Sequence, residues 1–321
     1  MNRRWRILAI ALPLVALTAG PALADVKTRD KTQVKFEGML GRMMGMVGGK
    51  AAKEGVVTAV AVKGDRKAEL NDTNGRIVDL KEEKVYELDV KKKTYQVVTF
   101  DELRRRMREA REKAQKEAPK EQKDTQQDKP AREVDVDFDV KETGQTRSIA
   151  GHETKEVVMT VTVREKGRAL EDSGGMVMTS NAWMAAAIPA MKELSDFELR
   201  YWKAIAPEAA GMSAEQMAAV MAMYPMLKQA MERLKAEGAK LQGTPLATTT
   251  VFEAVKSKDE AAQESQPSSG GGLSGMLARK MIKKNDSPRA TVFTLTHETM
   301  EVSPTVAAED LQIPAGFKEK N

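Results

Sequence analysis

Cysteine is absent from this sequence of 321 residues, and only two histidines occur. Catalytic thiols, disulfide frameworks and cysteine-based metal sites are therefore excluded, and we expect no lipid anchor at an N-terminal cysteine. Aromatic residues make up 4% of the chain. After residue 24 no segment predicts a membrane helix, which needs about 20 apolar residues. The lack of disulfides favours a bacterial periplasm or exterior over a eukaryotic secreted setting.

The motifs of common enzyme classes are also missing. The sequence has no Gly-x-Ser-x-Gly nucleophile elbow and no phosphate-binding glycine loop. The two histidines open similar runs, His152–Glu156 and His297–Glu301, which match half of a zinc-protease motif. That motif needs a second histidine at the last position, on a helix, whereas both runs end in glutamate and have strand-like surroundings. We therefore predict a non-enzymatic protein without a cofactor.

The N-terminus has the pattern of a secretory signal peptide. Three arginines precede the apolar stretch Ile7–Leu17, and Ala22–Ala24 forms a small-x-small cleavage site. We predict cleavage after Ala24 and a periplasmic location for residues 25–321. Three of the 52 basic residues lie in residues 1–24, so 49 basic residues face 47 acidic ones in the remainder. This balance gives no argument for a nucleic-acid partner.

Alternating apolar residues and polar turns predict a mainly antiparallel sheet. Strand candidates recur at the short spacing typical of β-meanders, at 56–62, 66–70, 76–80, 84–90, 94–100, 134–140, 146–150, 156–163, 176–183, 247–255 and 290–302. Helix-forming and linker segments interrupt this pattern. We therefore expect an α+β fold, in which a strongly curved, unclosed half-barrel sheet carries inserted helices.

Three insertions are expected within one domain that spans residues 25–321. Residues 101–132 combine a charged helix, Asp101–Glu117, with a polar linker. Residues 188–238 contain two helices, of which the second includes Pro225 and should kink there. Residues 258–272 are rich in serine and glycine and predict a flexible linker.

Methionine is unusually frequent, with 20 residues against 7 phenylalanines. A stripe of such residues on a helix most often packs in a core. An adaptable apolar cavity is a second interpretation, with these candidate lining residues: Met39, Met43, Met44, Trp183, Met217, Met221, Tyr224, Met231, Met276 and Met281. Thioether binding of Cu(I) at Met43, Met44 and Met46 is a third.

Short motifs occur along much of the chain, at Gly75–Leu80, Lys84–Asp89, Lys93–Tyr95, Ile149–Lys155, Trp183 and Ile313–Phe317. Together they resemble an uncharacterised bacterial family, the domain of unknown function numbered forty-four twelve. That family is similar to the LolA/LolB-like periplasmic carriers of lipids and lipoproteins. The resemblance implies an unclosed β-barrel with helices in its concave face, and binding rather than catalysis. No residue here matches a ligand-contacting position of those carriers.

The leading functional prediction is a periplasmic binding protein with a methionine-lined cavity for a lipid, an acyl chain or a lipoprotein. One alternative is an envelope interaction protein that binds no small ligand, with the charged helix Asp101–Glu117 as a docking element. The other alternative is a periplasmic Cu(I)-binding protein.

Overall fold

A twelve-stranded sheet organises the part of the chain that the structure describes. The structure is a computed structural model, and the described residues are 25–38, 41, 54–117, 133–206, 237, 241–259 and 288–320. The strands are β1 (Val26–Phe36), β2 (Val56–Lys63), β3 (Arg66–Leu70), β4 (Asn74–Asp79), β5 (Lys84–Asp89), β6 (Thr94–Thr99), β7 (Val134–Ile149), β8 (His152–Glu165), β9 (Gly175–Ala185), β10 (Thr244–Val255), β11 (Arg289–Ser303) and β12 (Lys318–Glu319).

The sheet consists of two meanders. Its strand order is β12-β6-β5-β4-β3-β2-β1-β11-β10-β9-β8-β7. Every pair is antiparallel except β12 with β6, which is parallel. The first meander, β1–β6, joins the second, β7–β11, where β1 pairs with β11. The sheet is unclosed, with β12 at one edge and β7 at the other.

Helices are few among the described residues, so the predicted α+β class is wrong and the protein is mainly β. They are α1 (Phe100–Glu117), α2 (Leu170–Ser173) and α3 (Pro189–Ile205), with a 3-10 turn at Ala308–Leu311. The charged helix was predicted within one residue of α1. The class prediction failed because these helices belong to connections between strands, while the core forms on the sheet itself. The second predicted helix of residues 188–238 lies outside the described residues.

Two consecutive hairpins of the first meander share one turn design. Asp79 accepts backbone hydrogen bonds from Lys81 and Glu82 after β4, and Asp89 accepts one from Lys92 after β5. Each turn then contains a residue with a φ of 52°, at Glu83 and Lys93. Asp at the start of a turn satisfies backbone donors with its side chain. This local chemistry sets the register of β4, β5 and β6.

The first meander is covered on both faces. On one face α3 packs against β1, β2, β4 and β5, and we call this face the helix face. Its buried cluster contains Val26, Val62, Val78, Val85, Phe100, Phe197, Tyr201 and Ile205. On the other face, which we call the strap face, the C-terminal segment 304–317 lies over the sheet. Its cluster contains Ala61, Ala68, Ile77, Leu88, Val306 and Leu311.

Helix α3 is fixed to the helix face by apolar and polar contacts. Pro189 occupies its first turn, where the missing N–H costs no hydrogen bond. Phe197 is fully buried, and the Tyr201 ring meets Phe100 edge-on with 5.6 Å between centroids. At the C-terminal end the Arg104 guanidinium of α1 donates twice to the Ala204 carbonyl, at 2.9 and 3.0 Å. The helix is therefore held at both its middle and its end.

A buried ammonium group also connects α3 to the sheet. Lys67 of β3 donates to the carboxylates of Glu198 on α3 and Glu69 on the same strand. Burial alone would lower the pKa of Lys67, but the two carboxylates outweigh it and raise that pKa above its ordinary value of 10.5. The folded state therefore holds this proton more tightly than the unfolded chain does.

Replacement of Phe197 by alanine should remove the main apolar anchor of α3. We expect the free energy of unfolding to fall by about 3–5 kcal/mol, because a fully buried ring leaves a cavity. Urea unfolding followed by circular dichroism measures the change. The matched control is Leu199→Ala on the same helix, where the side chain is 54% exposed, and its effect should stay within about 0.5 kcal/mol. Equal losses in the two variants would contradict the packing of α3.

The interaction of Lys67 with Glu198 and Glu69 should affect how the free energy of unfolding depends on pH in the alkaline range. A raised lysine pKa contributes stability that is present below pH 10.5 and is lost as the pH rises through the folded pKa. The free energy of unfolding of the wild type should therefore fall more steeply between about pH 9 and pH 12 than that of Lys67→Met. Lys155→Met, at an exposed position, should keep the wild-type slope. Parallel profiles for wild type and Lys67→Met would contradict the pairing.

Candidate functional site

An apolar surface occupies the helix face of the second meander. Residues directly opposite each other in antiparallel strands lie on the same face, and the register places side chains of six adjacent strands in two rows. The first row contains Phe138, Val161, Met178, Phe252, Phe293 and Phe36. The second row contains Val140, Met159, Ser180, Thr250, Leu295 and Val34. We call them the apolar rows.

The apolar rows share the face of α3 because β1 belongs to both halves of the sheet. Phe36 and Val26 lie ten positions apart on β1, an even interval, so both point to the helix face. Val26 is buried under α3, whereas Phe36 is only half-buried. The apolar rows therefore continue the surface that α3 covers in the first meander.

Three phenylalanines form the centre of the first row. The rings of Phe252 and Phe293 stack with centroids 4.2 Å apart, and the Phe36 ring lies 5.8 Å from Phe293. None of these three residues belongs to a buried core cluster of the described chain. Val34 in the second row is 39% exposed. Val140 of the second row is buried, whereas the three phenylalanines and Val34 remain partly accessible.

The two hydroxyl residues in the second row do not make it polar. Ser180 and Thr250 are both buried, and their side-chain oxygens lie 3.0 Å apart in a mutual hydrogen bond. A hydroxyl that is paired in this way presents little unsatisfied polarity to a neighbouring apolar group. The second row is therefore effectively apolar from β7 to β1.

A polar row follows the second apolar row. It consists of Thr32 on β1, His297 on β11 and Thr248 on β10, which lie directly opposite one another. Successive residues on one face of a strand are about 6.8 Å apart, twice the rise per residue. The helix face of β11 therefore changes from Phe293 through Leu295 to His297 within two such steps.

A partly buried carboxylate, Asp30, follows the polar row on the same face of β1. Asp30 accepts hydrogen bonds from Thr28 at 2.5 Å and from Thr299 at 2.7 Å, and both threonines are fully buried. The His297 Nδ1 atom lies 3.2 Å from the Thr32 hydroxyl, and its Nε2 atom lies 3.8 Å from Asp30 Oδ1. The second distance is too long for a hydrogen bond. A negative charge therefore lies next to the polar row, and the hydroxyls of Thr28 and Thr299 partly satisfy it.

The structure places Trp183 away from the apolar rows. This residue is opposite Glu156 on β8 and Ala247 on β10, and it lies an odd number of residues from Met178, so it points to the other face. There the Arg147 guanidinium lies 4.1 Å from its ring centroid. The other predicted cavity residues lie outside the described residues: Met39, Met43, Met44, Met217, Met221, Tyr224, Met231, Met276 and Met281.

The sequence interpretation did not identify the aromatic centre or the polar row. Phe252 and Phe293 lie in strands that were predicted, but no strand was predicted at β1. Only alternation along the strands could have placed each residue on a face. The order of strands in the sheet depends on long-range pairing. The sequence pattern alone does not predict that order.

The described residues were searched for metal-binding groups and for membrane-spanning helices. Within the described ranges no group of three side chains from histidine, aspartate or glutamate is placed to hold a metal ion. The copper hypothesis rests on Met43, Met44 and Met46, which are outside these ranges, so it stays a hypothesis. Of the described helices, none has both the length and the apolar character needed to cross a membrane.

Comparison with known proteins gives no relative. No family model matches this chain, and neither a curated protein nor a solved structure is detectably similar to it. The resemblance to the family numbered forty-four twelve therefore stays a prediction.

The hydrogen bonds to Asp30 should be important for stability. Thr299→Val keeps the shape of the side chain but removes a fully buried donor to the partly buried Asp30 carboxylate, so we expect a loss of about 1.5–3 kcal/mol in the free energy of unfolding. Thr294→Val on the same strand is the control, because its hydroxyl has no hydrogen-bond partner among the described residues. Chemical denaturation measures both changes. A loss for Thr299→Val no larger than that of the control would contradict the role of this cluster.

Proposed function

We propose that this chain is an exported, non-enzymatic carrier that binds the acyl chain of a lipid or of a lipid-modified protein on the apolar rows. The observation that carries the proposal is the contrast between the two meanders. The first has a buried apolar cluster on each face. The second has one buried cluster, at Ile149, Ala185, Leu246 and Ala247, and its apolar rows lie outside all the described core clusters.

The dimensions of the apolar rows suit a linear apolar ligand. They cross six strands, so five spacings of about 4.8 Å give a length of about 24 Å. An extended acyl chain can lie along such a strip and replace water on both surfaces. Burial of apolar area supplies the binding free energy, at about 25 cal/mol per Å² before the cost of association.

Side chains of the second meander suit a ligand of variable shape. Met159 and Met178 lie on β8 and β9 in the middle of the apolar rows. Methionine adapts to irregular apolar surfaces because it is unbranched and polarizable. Tight recognition of one rigid molecule would instead need several fixed polar contacts. The apolar rows therefore favour chains that differ in length or saturation.

Export and the periplasmic location enter the proposal from the N-terminal pattern. Arg3, Arg4 and Arg6, the apolar stretch and the Ala22–Ala24 site support secretion. A carrier is useful in an aqueous compartment between membranes, because acyl chains do not cross water alone. The predicted resemblance to LolA/LolB-like carriers points the same way.

Polar substitution in the apolar rows should weaken binding. The double variant Met159→Gln/Met178→Gln keeps side-chain length but makes both positions polar, and we expect a loss of at least about tenfold in affinity for oleoyl lipids. The measurement is displacement of the uncharged dye N-phenyl-1-naphthylamine, with native mass spectrometry of detergent-free periplasmic protein as a second readout. Thr160→Gln/Thr179→Gln is the matched control, because these residues are opposite each other on the other face of the same strands.

The outcomes separate the proposal from its rivals. Co-purifying masses in the lipid range, lost in the methionine variant and kept in the threonine variant, would support the carrier. A wild-type protein that neither carries lipid nor binds the dye would contradict it and favour an envelope interaction protein. Equal weakening in both double variants would show that the apolar rows are not the binding surface.

A further inference from the structure

We propose that the polar row binds the uncharged ester and hydroxyl groups of an acylglycerol, so that the protein prefers neutral glycerides to free fatty acids and to lipids with an anionic headgroup at the same position. This inference rests on the proposed function, because it assigns the polar end of a ligand whose chain lies on the apolar rows.

Hydrogen-bonding groups are available beside the second apolar row, on β1, β11 and β10. Thr32 is exposed and His297 is half-buried, with 43% of its side chain accessible. The Thr248 hydroxyl has no hydrogen-bond partner among the described residues. Adjacent strands are about 4.8 Å apart. These three side chains, on three adjacent strands, are therefore close enough together to contact one small polar group. Hydroxyl and imidazole groups can both donate and accept, as ester carbonyls and glycerol hydroxyls require.

The charges around the polar row disfavour an anion. The Asp30 carboxylate lies 3.8 Å from the outer ring nitrogen of His297. If the imidazole is neutral, this pair has a net charge of −1, and if it is protonated the charges cancel, so neither state is positive. A carboxylate or phosphate at this point would be repelled or left without a cationic partner.

Basic side chains are absent from the helix face of the three strands that form the polar row. Along β1 they occupy odd-numbered positions, whereas Thr32, Val34 and Phe36 are even-numbered, so they point to the opposite face. The same face holds Arg289 of β11, which pairs with Glu253 of β10 at 2.9 Å. The basic residues of these strands, all on the opposite face, are Lys27, Arg29, Lys31, Lys35 and Arg289. Anion-binding sites normally use such side chains. In this sheet they point to the face opposite the polar row.

The geometry also fixes the orientation of the ligand. The polar row lies on β1, β11 and β10, next to the first meander, whereas the apolar rows extend from there to β7 at the sheet edge. A glyceride with its ester at His297 can therefore lay its chain past Leu295 and onto the apolar rows towards β8. The reverse orientation would place the ester against Val161 and Phe138, where the apolar rows offer no hydrogen-bonding group.

Three ligands with the same oleoyl chain test the headgroup preference. Monooleoylglycerol, oleate and oleoyl lysophosphatidic acid are compared by displacement of N-phenyl-1-naphthylamine from the full mature protein. We expect monooleoylglycerol to bind at least about tenfold more tightly than either anion. The double variant Thr32→Val/His297→Leu should lose about tenfold in affinity for monooleoylglycerol, while its affinity for the dye stays within about twofold. Thr296→Val, on the opposite face of β11, should behave as the wild type.

A second variant tests the charge argument separately. Asp30→Asn removes the negative charge with little change in shape, and we expect the affinity for oleate to rise at least about threefold relative to that for monooleoylglycerol. Should this variant fold poorly, the headgroup comparison in the wild type still decides the inference.

Failure of the inference is distinguishable from failure of the carrier proposal. If all three lipids displace the dye equally, or oleate binds most tightly, the polar row does not select a neutral group, although the apolar rows still bind acyl chains. If no lipid displaces the dye, or the dye does not bind, the carrier proposal itself is wrong. Loss of selectivity without loss of dye binding in Thr32→Val/His297→Leu supports the inference.

Discussion

The pairing of β1 with β11 is the interaction on which the rest of this structure depends. It joins two meanders, each of which could form through local hairpins, into one sheet with two continuous faces. Its register carries a shift at Arg29 and Asp30, where β11 skips Met300. This bulge keeps Thr299 opposite Asp30 and His297 opposite Thr32. Since strand registers set the face of every side chain, this single pairing determines that α3 and the apolar rows share a face.

That shared face differs between the two meanders. Over the first meander it is filled by α3, which adds the buried Lys67 pair and the Phe197 anchor to the sheet. Over the second meander the same face carries the apolar rows, which lie outside the core clusters of the described residues. The strap segment 304–317 covers the opposite face of the first meander only. The second meander has its own buried cluster, which contains Ile149, Ala185, Leu246 and Ala247, and its apolar rows lie outside that cluster.

Local patterns predicted the elements well, and they failed where distant strands meet. The strand 66–70 and the charged helix were predicted within a residue because their polar turns and charge pairs are local signals. Strand β1 was missed because Lys27, Arg29, Lys31 and Lys35 alternate with few apolar residues, and its role becomes visible only beside β2 and β11. The aromatic centre could not be predicted for the same reason: Phe36, Phe252 and Phe293 meet only through that pairing. The methionine cavity was chosen by composition, and its one described residue, Trp183, faces the other way.

The distance along the chain between β1 and β11 has a consequence for folding. Lys27 pairs with Ser303 near the two ends of the described chain, so the junction between the meanders is among the contacts of longest sequence separation in the sheet. Such contacts form late, because loop closure must precede them. Until then both β1 and β11 are bare strand edges next to exposed phenylalanines, which is the combination most prone to intermolecular pairing. The interval before this junction closes is therefore when the newly made chain most needs protection from its own copies.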